Sequence, residues 1–361
     1  MPCQVGHQTL YSTVEEPLVS IVILNYNGRQ HLKDCLESVG KLAYGNKEVI
    51  FVDNASSDGS VRFVRQNYPL VKIIENSRNL GVAAGNNVGI NAANGKYVFL
   101  LNPDTEVHSL CLDSLTKVMD VDNSIGVCGA KIRLFDERQR LQHAGGRYHV
   151  IGVALDRGLY EIDSGQYSKI EDVSFVCGAA LMFRKEVLSS VGALDPAFFM
   201  YHEEVDFCLR MWLNGLRVSY VPNAMVYHKS RYFASLKSGK REPLIEFHKN
   251  KNTLTILLKN FGMIDIVKWL PVTLCYRFYW FLRYVFDGNL PCAKAVVDSV
   301  IWTMKNIPGI SSSRRAIMSK KNANVKLIEH CANIAEVWRE FRRLHELELS
   351  LKKGSQTSGV R

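Results

Sequence analysis

The sequence predicts an α/β protein built on a mainly parallel sheet with helices on both faces. Two observations carry this reading. Between residues 18 and 101, four short apolar runs alternate with helical patterns, and each run is apolar almost throughout, as in strands buried on both faces. Three of the four runs close on Asn or Asp, at residues 25–27, 53–58 and 102–104. Sheets of this kind bind ligands beyond the carboxyl ends of their strands.

In order, residues 18–24 (LVSIVIL) are the first strand, stopping at the turn Asn25-Tyr26-Asn27-Gly28. A helical pattern follows, with Leu32, Cys35, Leu36 and Val39 on one face. Residues 47–54 (KEVIFVDN) are a second strand, 60–68 a helix and 70–75 a short third strand. A loop at 76–81 leads to a helix of small residues at 82–94, then to a fourth strand at 96–101 (KYVFLL). Beyond it the pattern predicts a helix over 110–119, a strand over 125–134 and a loop-rich stretch over 136–166. Residues 173–183 (VSFVCGAALMF) read as a strand broken by Gly178, and 186–191 as a short helix. Short strands at 218–221 and 225–227 flank Pro222 and lead to His228.

Residues 193–215 (ALDPAFFMYHEEVDFCLRMWLNG) set the adjacent carboxylates Glu203 and Glu204, then Asp206, at the head of a helix-like run. Phe198, Phe199 and Tyr201 precede them. A carboxylate against an aromatic wall holds its proton more tightly, as a general base near neutral pH requires. The same acids also suit an ordinary helix N-terminus, where the dipole favours negative charge.

Of the 361 residues, 47% are hydrophobic and 22% charged, an ordinary globular balance. The net charge of +10 is unevenly placed. Residues 229–361 carry 24 Lys and Arg against 10 Asp and Glu, whereas residues 1–228 carry 21 against 25. A basic C-terminal third implies an anionic partner, a membrane surface or a nucleic acid. Nine cysteines without a C-x-x-C pair argue against a zinc ribbon or a disulfide framework and for a reducing compartment. Residues 1–17 lack the basic and apolar regions of a secretory signal and read as a short extension. No G-x-G-x-x-G follows the first strand and no G-x-x-x-x-G-K-[ST] occurs, which argues against a dehydrogenase or P-loop enzyme. Phosphate charge is then left to a metal, Mg²⁺ or Mn²⁺, for which Asn102-Pro103-Asp104 offers a carboxylate.

Seven segments in order resemble the family 2 glycosyltransferases of GT-A fold, over about residues 18–232. They are VSIVILNYNG (19–28), VDNASSDGS (52–60), NSRNLGVAAGNNVGI (76–90), LLNPDTEV (100–107), VCGAALMFRK (176–185), GALDPAFFMYHEEVDFCLRMWLNG (192–215) and VYHKSR (226–231). The resemblance is strongest to the branch that transfers rhamnose or related sugars onto lipid-linked glycans. It implies that Asn25, Tyr26 and Asp53 surround the base and ribose of a nucleotide-sugar donor. Arg78, Asn79, Gly81 and Asn86 would line the nucleotide side. Asn102-Pro103-Asp104 stands where the family carries Asp-x-Asp, so Asp104 becomes the metal ligand and Asn102 a ribose or outer contact. His228 matches the histidine that completes the metal site in some members.

Glu204 matches the second acid of the family's Glu-Asp pair, the general base, with Glu in place of Asp. Glu203 stays open as the alternative base. Phe199, Tyr201 and Asp206 fall on the acceptor side, though Asp206 also suits a helix cap or an i,i+4 pair with Arg210. One base and no protein nucleophile imply a single in-line displacement with inversion, in which the base takes the acceptor proton as a nucleoside diphosphate leaves. The branch points to rhamnose from dTDP-rhamnose and to a hydroxyl of a lipid-linked or cell-surface glycan.

In the C-terminal third, residues 246–261 begin basic and turn apolar, and 264–286 (IDIVKWLPVTLCYRFYWFLRYVF) is the most hydrophobic stretch. Lys268, Arg277 and Arg283 interrupt it, share no helical face, and argue against a clean membrane span. Long basic side chains snorkel beside aromatic residues at an interface. The expectation is an interfacial helix pair holding the enzyme on the cytoplasmic side of an anionic membrane, with a buried helix packed on the GT-A domain and a true membrane span as the alternatives. Residues 316–353 are charged and helix-prone, suited to packing on those helices or on a second copy. The predicted organisation is an extension at 1–17, a GT-A domain at 18–232, a basic helical membrane-associating region at 233–353 and a disordered tail at 354–361. Two competing readings are a nucleic-acid binder using the basic third and an inactive GT-A scaffold. Against the first, no nucleic-acid motif appears and the aromatic residues cluster with aliphatic ones. Asn102 and Glu204 are what keep the second in play.

Overall fold

The computed structural model describes residues 16–229 and 241–357. Most of the expected extension, residues 230–231 of the last resembling segment, and positions 358–361 of the expected tail lie outside them. Strands β1 (Val19–Asn25), β2 (Lys47–Asp53), β3 (Lys72–Glu75) and β4 (Tyr97–Leu101) form the parallel half of the sheet, in the order β3-β2-β1-β4. Past β4 the sheet becomes mixed. Strand β11 (Ala180–Arg184) runs antiparallel to β4, β6 (Ile125–Leu134) antiparallel to β11, and β12 (Arg217–His228) parallel to β6. The short β10 (Glu171–Asp172) closes that edge. Strands β5 (Thr105–Val107) and β7 (Leu141–His143) add to β12 and β6, while β8 (Gly146–His149) and β9 (Val153–Asp156) pair with each other.

One apolar layer lies under α1 (Leu32–Gly40) and α4 (Cys111–Val121) and contains Leu36, Phe51, Phe99 and Leu115. The small helix α2 (Ser60–Asn67) adds Val64 to it. The other layer receives α3 (Gly81–Ala92), and the small residues of α3 are explained there: a Cβ on Gly89 would stand 2.3 Å from Val22 Cγ1. The same layer takes in α5 (Leu188–Val191) and α6 (Glu203–Leu213).

The predicted strand at 173–183 is shortened by the structure to its last part. Residues 173–179 form a connection in which Val173 O accepts the indole N–H of Trp212 and Ala180 N donates back to Cys177 O. The two short strands around Pro222 are in fact one, because a register shift between Val221 and Met225 lets the ladder continue past the proline.

The largest correction concerns the C-terminal third. Helices α7 (Pro243–Asn260), α8 (Met263–Phe286), α9 (Leu290–Lys305), α10 (Ile307–Lys320) and α11 (Ile334–Thr357) follow the sheet. The expected interfacial pair splits. Ile256, Leu257 and Phe261 belong to the same core cluster as Val22, Phe183 and Phe207, so α7 is a core helix and the packing has no boundary at 232. Helix α8 instead buries only Ile266, Thr273, Arg277 and Tyr284 and leaves Ile264, Val267, Phe278 and Phe286 exposed. Arg277 therefore points inward and does not snorkel, in contrast to the exposed Lys268 and Arg283. Residues 316–353 are not one helix: α10, a 3-10 turn at Leu327–His330 and α11 divide them. Helix α11 runs to Thr357, four residues into the expected tail. Among the described residues, no helix is long and apolar enough to cross a membrane, and the described cysteines are all free thiols.

Candidate active site

Three strand ends meet at one edge of the sheet. Asn25, at the end of β1, is wholly buried and donates from Nδ2 to Asp53 Oδ1 and Ser56 Oγ, each at 3.0 Å. Asp53 Oδ2 accepts from Ser56 N at 2.7 Å, and Asn27 adopts a left-handed φ of 52° that lets its side chain cap Ser57 N. Asp53, only 2% exposed, thus folds the loop after β2 against β1. Tyr26 projects outward beside it, 53% exposed.

The next layer is an asparagine network. Asn54 Nδ2 donates to Gly81 O at 3.0 Å and to Asn79 Oδ1 at 3.3 Å, while Asn76 Nδ2 donates to Asn54 Oδ1 at 2.8 Å. Asn79 Oδ1 also accepts from Gly81 N, fixing the start of α3, where Gly81 takes a φ of +80°. Asn86 is buried one turn in, and Arg78 is exposed on the loop. Asn54 and Asn76 were not singled out from the sequence, although both lie within the resembling segments. Asparagines in turn-rich loops are too common for their pairing to be visible before the loops meet.

At the end of β4, Asn102 N donates to Ala179 O and Asn102 O accepts from Thr105 Oγ1. The antiparallel pairing of β5 with β12 sets His228 opposite Thr105, and this brings its ring to Asp104 across 124 residues of sequence. His228 Nε2 lies 3.1 Å from Asp104 Oδ1, and Nδ1 lies 3.0 Å from Gln142 Oε1. A protonated ring satisfies both contacts, and loss of the Nε2 proton would leave an imidazole lone pair beside a carboxylate oxygen, a donor set that suits a divalent cation. Two adjacent ligands of an octahedral Mg²⁺ stand about 3 Å apart at its usual bond lengths, so the pair fits such an ion. Burial raises the Asp104 carboxyl, but the His228 ring, by charge and hydrogen bond, outweighs it and lowers the group to about 2. Among the described residues no group of three or more His, Cys, Asp or Glu gathers, so the protein offers two ligands here.

The carboxylate pair lies across the connection 177–179. A Cβ on Gly178 would touch Glu204 at 3.5 Å, while Ala179 next to it holds Asn102. Glu203 is buried and its Oε2 has no hydrogen-bond partner. Burial, and then the charge of Glu204, raise the Glu203 carboxyl well above its ordinary range. Burial also raises Glu204, to about 7, against the pull of its own and Val205's backbone N–H groups at the start of α6.

Asp206 differs. Its side chain is wholly buried, Oδ2 accepts from Arg210 Nε at 2.9 Å, and Oδ1 meets Lys259 Nζ at 2.8 Å and Asn260 Nδ2 at 2.9 Å. The acceptor-side assignment of Asp206 is therefore corrected: with both oxygens engaged inside the core, it is a structural anchor. Arg210, its i,i+4 partner, also donates to the carbonyls of Val191, Gly192 and Ala193.

Phe199 and Tyr201 sit on a strained connection. Phe199 is the centre of a γ-turn, with φ 61°, ψ −62° and a 2.7 Å bond from Met200 N to Phe198 O. Tyr201 and His202 both take a φ of 65°. Such conformations cost about 1–3 kcal/mol each and persist only where the surroundings impose them. Here α7 imposes them: Asn252 Nδ2 shares its protons among the carbonyls of Phe198, Met200 and Tyr201 at 3.0, 2.8 and 2.6 Å. On the other side Phe199 O accepts from Val82 N and Ala83 N, tying the turn to the start of α3. Asn252 and Lys259 are functional supports that sequence reasoning missed, because they lie in the stretch assigned to a membrane.

With this geometry in place, the similarities to known proteins can be weighed. The family description "Glycosyl transferase family 2" matches residues 20–192. An uncharacterized Sinorhizobium fredii protein is 28% identical over 63% of this chain, which spans only 26% of that relative's length. A cholesterol galactosyltransferase of Borreliella burgdorferi is 24% identical over 91% of this chain and 94% of its own. An N-acetylglucosaminyl-diphospho-decaprenol L-rhamnosyltransferase of Mycobacterium tuberculosis is 26% identical over 58% of this chain and 76% of its own. Among solved structures, a Pyrobaculum calidifontis mannosyltransferase with GDP-Man and Mn²⁺ superposes with a TM-score of 0.51 at 15% identity, covering 85% of this chain and 86% of that one. S. aureus TarS 1–349 with UDP-GlcNAc gives 0.53 at 16% identity, covering 84% and 88%. These likenesses in fold agree with a GT-A sheet carrying a helical C-terminal region. The chain is a glycosyltransferase of GT-A fold, and its residues 20–192 are the segment that matches family 2.

Proposed function

We propose that this glycosyltransferase transfers a sugar from a nucleotide-sugar donor to an acceptor hydroxyl in one step, with inversion and with a divalent cation. The observation that carries the reading is the Glu203–Glu204 pair, without a salt bridge among the described residues and held across a three-residue connection from Asn102, Asp104 and His228. Two carboxyls side by side, one buried and one half-buried, do not both ionise readily. Glu203 keeps its proton, and Glu204, which ionises near neutrality, is the base. It takes the proton of the acceptor hydroxyl as that oxygen bonds to the anomeric carbon. The bond from that carbon to the diphosphate breaks, and its electron pair leaves with the nucleotide. Asp104 and His228 would hold Mg²⁺ or Mn²⁺, whose chemistry there is to neutralise charge on the leaving diphosphate. Tyr26, exposed over the Asn25–Asp53 pair, offers a face for the nucleotide base, and the Asn54–Asn79–Gly81 network shapes the nucleotide side.

Similarity to the mycobacterial rhamnosyltransferase supports rhamnose as the sugar and a lipid-linked acceptor, and dTDP-rhamnose is the donor proposed with them. The exposed apolar residues of α8 support peripheral contact with an anionic membrane surface. The test is nucleotide release from a panel of dTDP-, UDP- and GDP-sugars with Mg²⁺ or Mn²⁺, with Glu204→Gln and Asp104→Ala as controls. Release that needs both residues is expected. No release from any donor, with both variants equal to the unaltered protein, would sink the reading.

A further inference from the structure

A cavity of about 810 Å³ opens beside the catalytic helix, bounded by the segment 151–155, α7, α8 and α11. This volume is in the range of pockets that enclose a small molecule. It reaches the site through His202, the residue before Glu203. Two kinds of surface line it. One is cationic: Arg241, Lys249 and Arg277 against the single carboxylate Glu246, with His202 held neutral by burial. The other is aromatic: Tyr276 lies 6.4 Å from Trp280 and 6.2 Å from Phe341 between ring centroids.

Arg277 is the telling residue. It is 4% exposed, it donates from Nη2 to Thr253 Oγ1, and its Nε has no partner. Among the described residues no carboxylate stands within ion-pair distance of it, and the more distant Glu246 charge does not offset its burial. A buried guanidinium without a counter-charge is strongly unfavourable, and an anion in the cavity would relieve it. A second buried polar atom of the lining, His202 Nδ1, is also without a partner. Neither feature is expected of a cavity that exists only through imperfect packing, since empty cavities are apolar.

We propose that this cavity binds the acceptor as an amphiphile: a phosphate or diphosphate on Arg277, joined to an apolar chain that runs along Tyr276, Trp280 and Phe341. The sugar to be extended, attached at the phosphate, is then directed past His202 toward Glu204. This deepens the glycosyltransferase reading and rests on it for the role of the bound lipid, but not for its capture. The exposed apolar residues of α8 lie on the same helix as Arg277, which suits an acceptor drawn from a membrane.

Farnesyl diphosphate, kept below its micelle concentration, is the probe, and tryptophan fluorescence reports binding because Trp280 and Trp338 line the cavity. Saturable binding is expected, at least tenfold tighter than that of either farnesol or pyrophosphate. Arg277→Gln, checked for folding by circular dichroism, should weaken it at least tenfold, as loss of a charged hydrogen bond does. A second readout uses the unaltered protein. Cys275 lines the cavity and is exposed, and peptide mapping should show its alkylation slowed at least fivefold by farnesyl diphosphate. Pyrophosphate binding as tightly would indicate a phosphate site alone, and farnesol binding as tightly would indicate a merely apolar pocket. Either result, or an unprotected Cys275, overturns the proposal. Nucleotide release without lipid is scored separately, so a failed donor reaction with intact lipid capture would break the enzymatic reading and not this one.

Discussion

Within one turn of α6, negative charge is treated in two opposite ways. Asp206 is wholly buried, yet Lys259 and Arg210 outweigh the cost of burial and keep its carboxyl below the usual range. Glu203 is buried and Glu204 half-buried beside it, among the described residues neither has an ion pair, and both carboxyls rise. Depth alone therefore does not set the charge of an acid on this helix. What separates the two is whether the surrounding helices supply a counter-charge, and α7 supplies it to Asp206.

That contrast can be broken from either side. The largest expected effect is on chemistry: Glu204→Gln should lower kcat by at least a hundredfold, the scale of a lost general base, read as nucleotide release with acceptor present. Retention of a tenth of the activity would mean the uncompensated pair is not the base. Next comes stability. Lys259→Met leaves Asp206 with Arg210 as its one cation and Asn260 as a neutral partner, also strips Asp195 of its lysine, and should cost about 3 kcal/mol by chemical denaturation, as breaking a buried ion pair does. An unchanged midpoint would show that Asp206 does not depend on the Lys259 charge.

Third is pH. The Glu204 carboxyl is raised to about 7, and the base works only when ionised. The rate kcat/KM should therefore fall as pH drops through 7, approaching tenfold per unit below it, with no such limb near the ordinary carboxylate range. A flat profile from pH 5 to 8 would place the catalytic ionisation elsewhere. The smallest effect sharpens the parallel contrast between the buried α7 and the half-bare α8. Serine at Ile264 and Phe278 together should change stability by less than about 0.5 kcal/mol per site, yet reduce sedimentation with anionic vesicles. If vesicle binding is untouched, the exposed apolar face serves something other than a membrane.

Much of the donor half was legible in the sequence. The runs that became β1, β2 and β4 are apolar over most of their length, so period and composition agree, and the Asn and Asp that end them are neighbours in space because parallel strands align their carboxyl ends. Asp104 was readable as a carboxylate for a metal, whereas His228 gained that role only from the resemblance. Their 3.1 Å approach depends on the β5–β12 pairing, a contact that no local pattern encodes. The strand predicted over 173–183 was shortened because its earlier apolar residues pack in the core with only isolated sheet bonds, and the continuous ladder starts at Ala180.

The C-terminal third marks the limit. Residues 264–286 are the more apolar in sequence, yet they kept a bare apolar face while the more polar 246–261 became core. By itself the sequence determined the alternation of strands and helices, the polar strand ends and the presence of adjacent acids before a helix, since each follows from local period and chemistry. Only the tertiary structure decided which acid carries free charge, which lysine compensates another, and where Arg277 points. Those outcomes depend on which groups are desolvated together, and desolvation is a property of neighbours brought from distant parts of the chain.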